Sequence, residues 1–125
     1  MSYLVEYAVR RPASGRRARR GARVDERLVL NRPRFDGGAY VRVFVENTSG
    51  RRRRFRRGPP SPRLRLRVAD CAHVVNLEFS VESAELRENA QFKINTLLGA
   101  LTRFREALAA EAELYARRER ELQSR

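Results

Sequence analysis

Along the first two thirds of the chain, apolar and polar residues alternate with a period of two, the pattern of strands with one buried face. Tyr3, Val5, Tyr7 and Val9 share one face of a candidate strand over residues 3–9, and residues 26–31 form a second, shorter candidate. The Asp36-Gly37-Gly38 triplet marks a turn. After it, Val41, Val43 and Val45 point one way and Tyr40, Arg42 and Phe44 the other. Residues 63–68 alternate strictly, with Leu64, Leu66 and Val68 inward and Arg63, Arg65 and Arg67 outward. Residues 73–81 repeat the scheme with Val75, Leu77, Phe79 and Val81. Strands joined by turns, each with one polar side, predict an antiparallel sheet with one wet face.

The period changes at Ser83, a residue suited to capping a helix, followed by Glu85 and Glu88 near the positive end of the helix dipole. Leu86, Ala90, Ile94, Leu97, Leu101, Phe104, Leu108 and Tyr115 then recur at steps of three and four, which predicts one amphipathic helix over residues 83–121. The expected fold class is therefore α+β: a small antiparallel β-sheet of four to five strands followed by one long C-terminal amphipathic α-helix. Residues 1–82 form the basic sheet region and residues 83–125 the helix, within a single domain.

Such a helix spans about 58 Å, whereas strands of this length cover only about 23–30 Å. The surplus predicts that Leu97, Leu101, Phe104, Leu108, Ala112 and Tyr115 meet a second copy of the chain or a partner helix. The competing expectation is a break near Gly99 that folds the helix back.

Charge adds a division that hydropathy does not show. The 125 residues carry 28 Lys+Arg against 15 Asp+Glu, a net charge of +13. Residues 1–67 hold a net +15 and residues 68–125 a net −2. The positive charge belongs to the strands and their loops, and it favours a polyanion. Three basic elements stand out. They are Arg16, Arg17, Arg19 and Arg20; Arg51, Arg52, Arg53, Arg54, Arg56 and Arg57 around Phe55; and the outward Arg63, Arg65 and Arg67. Outward positions on a strand repeat about every 6.6 Å, a spacing suited to successive phosphates, and Phe55 offers a ring on which a base can stack.

Catalytic chemistry has little material. The single cysteine and single histidine, Cys71 and His73, fall on the same parity as Val75 and Leu77, so both are expected on the buried face as packing residues. A zinc site would lack further Cys or His ligands, and no Gly-rich phosphate loop occurs. No metal, no cofactor and no enzymatic activity are expected. No stretch is apolar for long enough to cross a membrane, the first residues lack a signal-peptide pattern, and the chain is expected to be cytoplasmic. The sequence thus predicts a non-enzymatic nucleic-acid-binding accessory protein, with RNA favoured over DNA because no helix-turn-helix, homeodomain or zinc-finger pattern is present. The alternative is a scaffold or adaptor subunit whose basic loops meet acidic protein surfaces.

Overall fold

The computed structural model describes residues 21–50 and 58–125. Among the described residues four strands, β1 (Ala22–Val29), β2 (Tyr40–Glu46), β3 (Leu64–Asp70) and β4 (His73–Leu77), precede one helix, α1 (Ala84–Gln123). The strands form an antiparallel meander in the order β1-β2-β3-β4. The fold is α+β, with an open four-stranded sheet and a long C-terminal helix. The chain divides between Val81 and Glu82 into two compact units, the sheet and the helix.

The register explains the sheet. On one face, Val24 and Leu28 of β1 pair with Val45 and Val41 of β2, which pair in turn with Leu64 and Val68 of β3. Leu66 stands between Val43 and Leu77, and Val68 faces Val75. β-branched and aliphatic pairs of this kind are the stabilising unit of a sheet. The leucines expected inside are only half-buried: among the described residues Ala39 and Ala69 alone are buried, and Val75 is 58% exposed.

Three features differ from the alternation pattern. β1 starts at Ala22, four residues before the expected strand, and ends at Val29. The register shift between Ala22 and Val24 and the acidic Glu26 on the apolar face both interrupt the period-two signal. The last strand stops at Leu77, not Val81. With Leu66 opposite Leu77, extending the ladder would set Val81 against Pro62, which has no N–H to donate.

Cys71 is the third difference. It lies in the two-residue turn between Asp70 and His73, exposed, with φ +54°, instead of on the buried face of a strand. His73 shares the parity of Val75 but sits exposed at the hairpin end. The expected strand at residues 3–9 and the basic runs 16–20 and 51–57, with Phe55, lie outside the described residues.

The helix begins as its sequence predicts. Ser83 is extended (φ −137°, ψ 164°), and its Oγ accepts the Leu86 N–H at 3.1 Å, satisfying one of the orphan donors of the first turn. It then runs unbroken through Gly99 to Gln123, which removes the fold-back alternative. Its cost is about 1 kcal/mol of propensity relative to alanine. No residue of α1 is buried.

Candidate nucleic-acid interface

The same register that gathers valines and leucines on one face builds a different surface on the other. Arg27 of β1 lies directly opposite Arg42 of β2, and Arg42 opposite Arg67 of β3. Asn76 of β4 completes the row. On one side of it lie Asp25, Phe44 and Arg65, aligned across three strands, and beyond them Arg63 beside Glu46. On the other side lie Val29, Tyr40, Ala69 and Val74. This polar face therefore carries five arginines and two carboxylates, with an aromatic ring on either side of the central row.

Like charges directly opposite one another in a sheet are destabilising. Three aligned arginines are thus a local cost, and each is held by a separate neighbour. The Arg27 guanidinium lies 4.2 Å from the centroid of the Tyr40 ring, within cation–π range. Arg42 Nη2 lies 3.6 Å from Asp25 Oδ1. Arg67 Nε donates to Asn76 Oδ1 at 2.8 Å. The inner nitrogen of the middle member, Arg42 Nε, is buried and has no acceptor. Each arginine keeps further donors, since a guanidinium carries five N–H groups.

Arg63 anchors the start of β3. Its backbone N–H donates to Glu46 Oε1 at 2.9 Å, and its carbonyl accepts the Glu46 N–H at 2.9 Å. The strand that displays Arg65 and Arg67 is thereby tied to β2 before the alternation begins. The expectation that Arg63, Arg65 and Arg67 share the face opposite Leu64, Leu66 and Val68 agrees with the register. Arg27, Tyr40, Arg42 and Phe44 are not among the binding residues that the sequence predicts. The alternation of residues 40–45 puts Tyr40, Arg42 and Phe44 on one face, and Arg27 joins them only through the pairing of β1 with β2.

Comparison with protein-family models, curated proteins and solved structures returned no match. The surface is therefore read from its own chemistry.

Other groups add little. No set of three or more His, Cys, Asp or Glu residues among those described is placed to hold a metal ion. No described helix is long and apolar enough to cross a membrane.

Asp36 organises the end of the sheet where β1 turns into β2 and β3 into β4. Its Oδ1 accepts the Gly38 N–H at 2.9 Å, its carbonyl accepts Asn31 Nδ2 at 2.8 Å, and its Oδ2 accepts the Cys71 thiol at 3.0 Å. A Cβ on Gly38 would sit 3.3 Å from the Asp36 carboxylate and 3.5 Å from Cys71 Cα, so the absence of a side chain permits this close approach. The Cys71 thiol, and then the Gly38 N–H, hold the Asp36 carboxyl below its ordinary range. Conversely, accepting that thiol proton, Asp36 raises Cys71 above the usual thiol value.

Cys71 is therefore protonated at neutral pH, the opposite of what a nucleophile needs. Replacing Asp36 by asparagine removes the carboxylate charge beside the thiol. The pH–rate profile for iodoacetamide modification of Cys71 is expected to move to lower pH in Asp36→Asn, with faster modification at neutral pH. An unchanged profile would mean that Asp36 does not control the thiol.

Proposed function

We propose that the protein binds single-stranded nucleic acid, RNA in preference to DNA, on the polar face of its sheet, as a non-enzymatic accessory protein. The observation that carries this reading is the row Arg27–Arg42–Arg67, three cations aligned across adjacent strands at a cost to the sheet. A bound phosphate backbone relieves that repulsion and supplies acceptors to the guanidinium groups. Phe44 and Tyr40 flank the row, where splayed bases stack on aromatic rings and on guanidinium planes.

A sheet face with rings and arginines suits an unpaired strand whose bases turn toward the protein. Double-stranded DNA would need an element that enters the major groove. The helix lacks the charge for that task, with Arg and Lys balanced by Glu along its length. The runs Arg16–Arg20 and Arg51–Arg57 add to the net positive charge that favours a polyanion.

The second reading is an adaptor, favoured by the exposed apolar side chains of α1, among them Phe104 at 66% and Tyr115 at 72% exposure. Purification with and without nuclease separates the two. Nucleic-acid binding predicts that the untreated protein carries a raised 260/280 nm absorbance ratio, which nuclease and high salt remove. A low ratio in both preparations, with a polypeptide retained, would favour the adaptor.

A further inference from the structure

The forty-residue helix α1 has no buried residue, and Leu98, Leu101, Phe104 and Leu108 are each more than half exposed. Ala90, Ile94, Leu97, Leu101, Phe104 and Leu108 follow a heptad repeat whose next core positions are Arg87 at one end and Glu111 at the other. Those two charges decide how a second helix fits.

We propose that α1 pairs antiparallel with α1 of a second copy of this chain, in the register that sets Leu97 opposite the partner's Leu101. This rests on the reading of α1 as a pairing element and is independent of nucleic-acid binding.

In a parallel in-register pair, Arg87 meets Arg87, Glu111 meets Glu111 and Arg118 meets Arg118 inside the seam, three like-charge contacts. Shifting an antiparallel pair by one heptad sets Arg87 against Arg118, and by two heptads sets Glu111 against Leu101 and Arg118 against Ile94. The proposed register avoids all of these. It stacks Ala90 on Leu108, Ile94 on Phe104 and Leu97 on Leu101, each twice, and closes both ends of the seam with Arg87 against Glu111.

The positions flanking the seam agree. Ala100 faces Ala100 and Leu98 faces Leu98 near the two-fold axis, with no charge opposed. Helix dipoles also oppose favourably in this orientation. The register gives Leu98 a partner, although it lies outside the strict heptad and is 56% exposed. It passes through Gly99, and the unbroken backbone at that residue is what allows both halves of the helix to contribute.

The test uses the full chain with Cys71→Ser and one spin label at a time on the outer side of the helix, through Thr102→Cys, Ala109→Cys or Ala116→Cys. Pairing about a two-fold axis near residue 99 predicts axial label separations of about 9, 30 and 51 Å, growing by 3 Å for each residue. Equal separations at all three sites would establish a parallel pair, and no dipolar coupling at tens of micromolar protein would establish a monomer; either result overturns the proposal.

A charge exchange gives a second readout. Arg87→Glu alone and Glu111→Arg alone are each expected to weaken dimerisation roughly tenfold, and the double variant to restore it. Double variants no tighter than the singles would contradict the register. Loss of RNA binding with the distance ladder intact counts against the interface on the sheet and leaves the pairing standing.

Discussion

Replacing both Arg65 and Arg67 by alanine is expected to weaken binding to a single-stranded RNA at least tenfold while leaving the sheet folded. Both side chains leave β3 on the polar face, beside Phe44 and Arg42 respectively. Neither packs in the valine–leucine layer. For single strands, each phosphate contact contributes about 0.7 to the slope of log affinity against log salt, so losing two contacts is expected to flatten the slope by about 1.4. Arg67→Ala also frees Asn76 from its 2.8 Å hydrogen bond. That loss is small, because the bond is exposed and its groups return to water.

A companion change separates charge from stacking. Phe44→Ala keeps every arginine and is expected to cost about 1–3 kcal/mol of binding, with the salt slope unchanged. A flatter slope in Phe44→Ala, or an unchanged one in the double arginine variant, would show that the roles of ring and guanidinium have been misassigned. Urea denaturation of each variant controls for folding.

Leu66→Ala is expected to do the reverse. Leu66 occupies the middle of the apolar face, paired with Val43 on one side and Leu77 on the other. Deleting three carbons from a buried leucine costs 2–5 kcal/mol. Leu66 is half-buried, which places the expected loss at about 1–3 kcal/mol. Among the described residues the sheet has no fully buried large side chain and little reserve, so the urea midpoint should fall sharply. RNA affinity, measured where the variant remains folded, should match the parent, because Leu66 and Arg67 point to opposite faces. A stable Leu66→Ala protein would place the sheet's main stabilisation elsewhere.

Much of this architecture was legible in the sequence because its strands alternate cleanly. The step from residue 40 to 46 assigns Val41, Val43 and Val45 to one side without ambiguity, and the strict alternation of residues 63–68 does the same for β3. Ser83 announced the helix, and its Oγ caps Leu86 as the residue type suggests. The pattern failed where a local feature broke the period. Glu26 on the apolar face and the irregularity at Arg23 hid the first half of β1, and Cys71, expected on the buried face of a strand, takes a left-handed conformation in the hairpin turn between β3 and β4.

The interface was half legible for a different reason. That Arg65 and Arg67 face outward follows from alternation within one strand. That Arg27, Arg42 and Arg67 form a line follows only from register between strands. The number of residues between consecutive strands says nothing of which residues end up opposite. A slip of one residue in either ladder would move the row to the apolar face. The alignment is thus a property of the folded sheet.

The measurement that tests the central claim most directly is the affinity for a short fluorescent single-stranded RNA, by anisotropy, over a series of salt concentrations. Binding through the arginine row predicts that log affinity falls linearly with log salt. With four guanidinium groups, Arg27, Arg42, Arg65 and Arg67, each engaging one phosphate, the slope is expected to reach at least about −2.8. An affinity that stays constant between about 50 and 200 mM salt would contradict the account, because no counterions would then be released from the strand.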